Sequence, residues 1–309
     1  GQPAVAVTDH GVMYGAIELY KAAKQAGVKP IIGCEVYVAP RTRFDKERRL
    51  DSSPYHMVLL CENAEGYQNL IALVSKAYIE GFYSKPRVDD ELLRQHHKGL
   101  ICLSACLAGR IPRMLTRGDY DAADEAVKAY IDIFGRENFF IELQNHGIDE
   151  QKRILPELIR LARENGVGLV ATNDAHYIDK ADSFDQSILV DIQTGRTVND
   201  PSDLEFQTDE FYIKSLAEMQ EALPDVDEAF ENTVRIAERC ELEFEFGKTK
   251  LPYFTAPDGE DNLVYFRRMA VDGMHRIYGE HPDQAVTERL EYELSVIEKM
   301  GYVDYFLIV

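Results

Sequence analysis

Seven polar residues fall at the ends of apolar, strand-like runs or inside one, and their types are those that hold divalent cations. Thr8-Asp9-His10-Gly11 follows the run Ala4-Val5-Ala6-Val7, and Glu35 lies inside Pro30-Ile31-Ile32-Gly33-Cys34-Glu35-Val36-Tyr37-Val38. His56 opens the run over 55–61, Cys106 closes Leu103-Ser104-Ala105-Cys106, His146 follows Glu142-Leu143-Gln144-Asn145, and Thr172-Asn173-Asp174-Ala175-His176 follows the run over 167–171. Imidazole, carboxylate and thiolate suit Zn²⁺, Mn²⁺ or Fe²⁺. Residues i and i+2 share one side of a strand, so Asp174 and His176 would reach one metal, or bridge two, if the strand runs on that far. Two metals about 3.5–4 Å apart can deprotonate a water and clamp the oxygens of a phosphate ester, the chemistry of many phosphatases and nucleases. A lone strand-end histidine or Asp-x-His triplet is commonplace. The joint pattern carries the reading.

The elements that must position these residues alternate. Strands are predicted at 4–7, 30–38, 55–61, 100–103, 139–143 and 167–171, with amphipathic helices at 15–26, 66–79, 120–134 and 151–164 between them. That order predicts an α/β fold with mostly parallel pairing and right-handed crossovers, as a barrel or an open sheet. The carboxyl ends of such strands converge on one face, where ligands bind. One connection differs: Arg41-Thr42-Arg43-Phe44-Asp45-Lys46-Glu47-Arg48-Arg49 is basic, lacks a helical apolar stripe and ends in Asp51-Ser52-Ser53-Pro54. It reads as an exposed excursion. If the strands it joins pair as an antiparallel hairpin, His56 is brought to the rim. Beyond about 200 the pattern turns helical and acidic, and Lys250-Leu251-Pro252-Tyr253-Phe254-Thr255-Ala256-Pro257-Asp258-Gly259 reads as a linker, placing a domain boundary near 250.

Composition narrows the partners. The 309 residues carry 34 Lys+Arg against 54 Asp+Glu, a net charge of −20, so the surface as a whole repels phosphate unless cations intervene. Hydrophobic residues make up 45 %, enough for a sizeable core and against intrinsic disorder. Cys34, Cys61, Cys102, Cys106 and Cys240 form neither an even framework nor a Cys-x-x-Cys pair, which predicts a reducing, cytoplasmic setting; all but Cys106 are expected in the core. No apolar run reaches the roughly 18 residues of a membrane span, and no signal peptide is evident. The absence of Met at position 1 and the apolar ending Tyr305-Phe306-Leu307-Ile308-Val309 suggest a piece of something longer.

Thr8-Asp9-His10-Gly11, Gly33-Cys34-Glu35-Val36-Tyr37, Leu103-Ser104-Ala105-Cys106 and Thr172-Asn173-Asp174-Ala175-His176 together resemble the PHP (polymerase and histidinol phosphatase) domain. Residues 291–302, with the apolar tail 305–309, resemble the entry into the palm of the bacterial DNA polymerase III alpha subunits, the C-family replicative polymerases. The resemblance implies a distorted (β/α)7 PHP barrel over 1–250, here lacking its first strand, followed over 251–309 by a helical region entering the polymerase palm. Matched motif by motif, it implies His10, Glu35, His56, Cys106, Asp174 and His176 as metal ligands, His146 as a further site residue, and Asp9 as support for its loop. The family's first strand carries a His-x-His motif that this chain does not contain. The implied cofactors are Zn²⁺ or Mn²⁺ at this site and Mg²⁺ at the parent's polymerase site, whose aspartates are not found here. Implied partners are primer-template DNA, a sliding clamp and other replisome subunits, including a separate proofreading exonuclease. The domain is then expected to be a metal-dependent phosphoesterase, with 3′–5′ proofreading exonuclease activity as its finer form. The alternative is a structural or partner-binding domain whose metals serve folding. A free-standing phosphatase such as histidinol phosphatase fits the tail poorly.

Overall fold

The computed structural model describes residues 2–198, 207–248 and 252–309. It divides into two compact units, Gly1–Glu243 and Phe244–Val309. The expected boundary at 250/251 falls on residues outside the described ones.

The first unit is α/β. Its strands are β1 (Ala4–Val7), β2 (Lys29–Val38), β3 (Tyr55–Cys61), β4 (Arg87–Val88), β5 (Leu100–Leu103), β6 (Phe139–Leu143) and β7 (Gly168–Ala171). They form one sheet in the order β1-β2-β3-β5-β6-β7, with the short β4 added alongside β2. Pairing is parallel except that β3 runs antiparallel to both β2 and β5. The sheet curls as in a barrel: the rings of His10, just past β1, and His176, just past β7, are 6.1 Å apart although their strands stand at opposite ends of the order.

Inside the curl every second residue is apolar, as a buried strand face requires. Ile31, Val58, Leu60, Ile101, Leu103, Phe140 and Val170 pack together with Ile236 and Cys240 from the end of the helix Asp227–Arg239. That helix bridges β7 and β2. Asn232 Nδ2 donates to the Leu169 carbonyl of β7 at 2.8 Å, and Lys29 Nζ of β2 donates to the Glu238 carbonyl at 3.2 Å. Helices on the outer face bury one stripe each. Tyr120–Phe134 turns in Ala123, Ala126, Val127, Tyr130, Ile133 and Phe134, and its first turn is capped by Asp119, which accepts from Ala122 N. The helix Ala64–Ile79 starts so close to the turn before β5 that a Cβ on Gly66 would lie 1.8 Å from the Gly99 carbonyl oxygen.

The basic connection between β2 and β3 is largely exposed, as the sequence suggested, but Arg43 within it and Asp51 at its end are buried and anchor it. Arg87 is fully buried and donates to the carbonyls of Gly81, Arg43, Asp45 and Asp51 at 2.8–3.3 Å. Arg43, also buried, reaches Asp89 at 3.0 Å, Glu80 at 2.7 Å and Glu91 at 3.1 Å, while Arg41 makes a two-pronged contact with the buried Asp51. The partners of Arg43 lie 37–48 residues away, so no local pattern announces them. Buried carbonyls need donors, and one guanidinium supplies several at once.

The second unit is helical, with Asn262–Tyr278, Gln284–Lys299 and Val303–Ile308. Asp261 caps the first helix, and Asn262 Nδ2 donates to Asp304 Oδ1 at 2.7 Å, tying it to the last.

Replacing Arg87 with Met keeps the stem's volume but strands several buried carbonyls. Denaturant unfolding of Arg87→Met is expected to show a loss of about 3 kcal/mol or more; a loss under about 1 kcal/mol would mean that water enters and replaces the guanidinium.

Candidate metal centre

The site begins with the reversal of β3. Because β2 and β3 pair antiparallel with Tyr37 opposite His56, the start of β3 lies beside the end of β2, and His56 comes to the rim as the hairpin reading required. Parallel pairing continues past β1 by a bridge between His10 and Glu35: Gly11 N donates to the Glu35 carbonyl at 2.9 Å, and Glu35 N to the Asp9 carbonyl at 3.0 Å. Three side chains from three strands are thereby brought together. Glu35 Oε1 meets His56 Nδ1, and Glu35 Oε2 lies 3.6 Å from His10 Nδ1. One donor atom from each of His10, Glu35 and His56 falls within 4.8 Å of the others.

The group opens outward: the Glu35 side chain is 6 % exposed, His56 21 % and His10 45 %. The turn after His10 is built for closeness. Gly11 has φ +67°, and a Cβ there would come 2.9 Å from Pro86 Cγ and 3.0 Å from Tyr37 Cε2. Asp9 supports that turn, its Oδ2 accepting from Gly15 N at 3.1 Å. Tyr37 floors the site, edge-on to His56 at 5.2 Å and stacked on His10 at 6.3 Å.

Cys106 joins from beyond β5, its Sγ 3.7 Å from His56 Nδ1. Burial pushes its thiol well above the ordinary range, and the charges of Glu35 and Asp174 push it further, so without a cation it stays protonated. The other four cysteines are buried, as expected of core residues.

Asp174 and His176 are neighbours, but not as alternate residues of a strand. β7 ends at Ala171 and Asp174 has φ +46°, so a turn brings them together, with His176 Nδ1 2.7 Å from the Asp174 carbonyl and 4.0 Å from its Oδ1. The extended geometry inferred for Asp-x-His fails there because the chain must bend to follow the curled rim. His176 faces His10, and Asp174 is buried enough that desolvation, with the charge of Glu35, raises its pKa against the pull of His176, His146 and His10. Glu35 goes the other way. Desolvation opposes its charge, but the His56 hydrogen bond and the charges of His56, His10 and His176 hold it below the usual carboxylate range.

His146 is not brought into the group. It is fully buried, with Nε2 2.7 Å from the Asn173 carbonyl, Nδ1 2.8 Å from Gln151 Nε2, and its ring stacked on Phe211 at 4.0 Å. Both nitrogens are engaged, and the residue props the turn that carries Asp174. Sequence reasoning passed over Glu142. This carboxylate lies in the wholly buried strand β6; Thr172 Oγ1 and Gln144 Nε2 both donate to its Oε1, while Oε2 has no hydrogen-bond partner among the described residues. Burial pushes its pKa up to about 7, and the charges of Asp174 and Glu35 add to the rise. A charged residue within Phe139-Phe140-Ile141-Glu142-Leu143 was the available signal.

Two imidazoles flanking a buried carboxylate, with a thiol, a second carboxylate and a third imidazole on the same rim, are a donor set that fits a borderline divalent cation. The charge of Glu35 adds to the rise in the pKa of both Asp174 and Glu142, so the rim is also short of positive charge.

Comparison with known proteins gives the relatives of this chain. Residues 1–146 match the model of the PHP domain, and residues 264–309 that of the bacterial DNA polymerase III alpha NTPase domain. Over its whole length the chain is 47 % identical to a DNA polymerase III subunit alpha of Treponema pallidum (strain Nichols), of which it spans 26 %. It is 42 % identical to that of Borreliella burgdorferi over 99 % of the chain and 27 % of the relative, and 40 % identical to that of Thermus aquaticus over 99 % and 30 %. The chain thus spans between a quarter and a third of the curated relatives it matches. A solved structure of a candidate metal-dependent phosphoesterase from Bifidobacterium adolescentis is 13 % identical, with a TM-score of 0.34 over 56 % of this chain and 77 % of that one, too distant to argue from.

Glu142 predicts a pH dependence. Its folded pKa of about 7 lies above the ordinary value, so the protonated form favours the fold; that contribution is complete below about pH 4.5 and lost as the pH rises through 7. With chelator present, Glu142→Gln is expected to gain on the order of 3 kcal/mol relative to the parent chain between pH 5 and pH 8, read from denaturant unfolding at each pH. A difference that does not change with pH would contradict a buried, neutral Glu142.

Proposed function

For a chain that is a relative of the bacterial DNA polymerase III alpha subunits and carries a PHP domain at residues 1–146, we propose that the rim site is a divalent-metal centre hydrolysing a phosphodiester, in its finer form a 3′–5′ exonuclease acting on a primer end. The observation that carries this reading is the convergence of His10, Glu35 and His56 within 4.8 Å, from three strands, at a rim shared with Cys106, Asp174 and His176. These six residues would hold Zn²⁺ or Mn²⁺. When bound, such ions supply Lewis acidity toward a phosphoryl oxygen and make water a better nucleophile.

The remaining steps belong to the chain itself. Glu35, ionised and gripped by both imidazoles, fixes their orientation before any ligand arrives. His10 is the most exposed of the three and stands where substrate would enter. The Cys106 thiol must give up its proton to become a ligand, so uptake should weaken at low pH. His146, with Gln151, holds the turn bearing Asp174 and His176.

We assign 1–250 to the PHP domain and 251–309 to the linker and start of a polymerase palm. The parent would use Mg²⁺ for DNA-templated synthesis on primer-template DNA, with a sliding clamp and other replisome subunits as partners. No helix among the described residues is long and apolar enough to cross a membrane, and a cytoplasmic setting is part of the proposal.

The test uses the full chain, loaded with Mn²⁺ or Zn²⁺, on 3′-mismatched primers. Expected are metal uptake by calorimetry and removal of the terminal nucleotide, with His56→Ala and Asp174→Ala each lowering the rate about a hundredfold or more. Rates unchanged by both substitutions would sink the catalytic reading. Metal that raises the melting temperature while no primer is cut would favour the structural alternative.

A further inference from the structure

Beside the metal group, three aromatic rings face solvent on segments with little freedom to move. Tyr14 is 84 % exposed, yet its loop is closed by Gly15 N donating to Asp9 Oδ2 and by the Ala16 N bond to the Met13 carbonyl. Phe82, 48 % exposed, lies in the tight turn before β4. There a Cβ on Gly81 would meet the Arg87 carbonyl oxygen at 1.9 Å, the buried Arg87 grips the Gly81 carbonyl, and Tyr83 N donates to the Lys85 carbonyl. Tyr78, 43 % exposed at the end of the preceding helix, lies nearly parallel to Phe82, with ring centroids 6.1 Å apart.

The two segments adjoin at the metal rim, since the turn at Gly11, next to His10, packs against Pro86 and Tyr37. Lys85 completes the surface. Its Nζ lies 5.4 Å from the centroid of the Tyr37 ring that floors His10 and His56, and among the described residues no carboxylate pairs with it. In a chain of net charge −20, an unpaired cation at this rim marks where a phosphate is welcome.

Rings this exposed contribute little to folding, but rings held in place can accept a stacked partner with little loss of freedom. We propose that Tyr14, Tyr78 and Phe82 form a stacking subsite for the unpaired terminal bases of a DNA strand, with Lys85 at its backbone, feeding the strand end to the His10–Glu35–His56 group. The occupant follows from the combination: flat faces tolerate any base, one cation suits a phosphodiester, and the donor cluster lies at the adjoining edge. This rests on reading that cluster as a phosphodiester site.

The experiment measures binding of a 5′-labelled dT8 and of an all-abasic octamer to the full chain by fluorescence anisotropy, with chelator and with Mn²⁺. Mn²⁺ uptake is measured separately by calorimetry. Tyr14→Ala and Phe82→Ala are each expected to weaken dT8 at least about fivefold, Phe82→Trp to restore it, and the abasic octamer to be unaffected, with Mn²⁺ uptake as in the parent chain. Equal binding of dT8 and the abasic octamer, or dT8 binding unchanged in both alanine variants, would overturn the proposal. Sedimentation showing that the same variants abolish a dimer while dT8 binding is unchanged would overturn it in favour of a second copy on this face. Loss of Mn²⁺ uptake in the parent chain, with base-dependent dT8 binding intact, would count against the metal centre and leave the subsite standing.

Discussion

The buried carboxylate of Glu35 is the constraint around which the first unit is arranged. A charge taken out of water must be matched, and Glu35 is matched by one imidazole at each oxygen. Those imidazoles arrive from opposite sides of β2: His10 by a parallel extension of β1, and His56 by the one strand in the sheet that runs backwards. Were β3 parallel like its neighbours, its start would lie at the far end of the sheet and His56 with it. The antiparallel hairpin, the long connection that joins its two strands and the Arg87 and Arg43 networks that pin that connection therefore belong to one arrangement.

A second consequence is electrostatic. Asp174 and Cys106 are raised by burial and by the charge of Glu35, while Glu35 is held down by the histidines. Glu142, one layer deeper, is pushed up to about 7 by the same causes. The rim is thus a concentration of acidic and thiol groups with too few cations, in a chain already 20 charges negative. Divalent cations would relieve this locally and turn a surface that repels phosphate into a place that receives it. The overall charge is therefore a poor guide to what the rim binds.

Much of this was legible in the chain. Strand and helix positions follow from apolar periodicity and capping residues, which act within a few positions: the helix Tyr120–Phe134 lies where its stripe predicts, and the strands reappear within a residue or so of the expected limits. The conditional hairpin placed His56 correctly because register follows once the antiparallel direction is assumed. Less legible were the features made by distant partners. The buried anchoring of the basic connection was hidden because the partners of Arg43 lie far along the chain, β4 is only two residues long, and Asp174 sits in a left-handed turn that no alternation rule anticipates.

The sequence by itself determined the α/β alternation and the identity of the polar residues at the strand ends, because element formation and residue chemistry are local properties. Only the tertiary structure decided which of those residues meet. It put donor atoms of His10, Glu35 and His56 within 4.8 Å of one another, set Cys106, Asp174 and His176 along the same rim, and turned His146 inward to hold a loop. The reason is physical: whether side chains from separate strands converge depends on strand direction, register and the curl of the sheet. Those are settled by packing of the whole core, here including a helix from residues 227–239 that bridges β7 and β2.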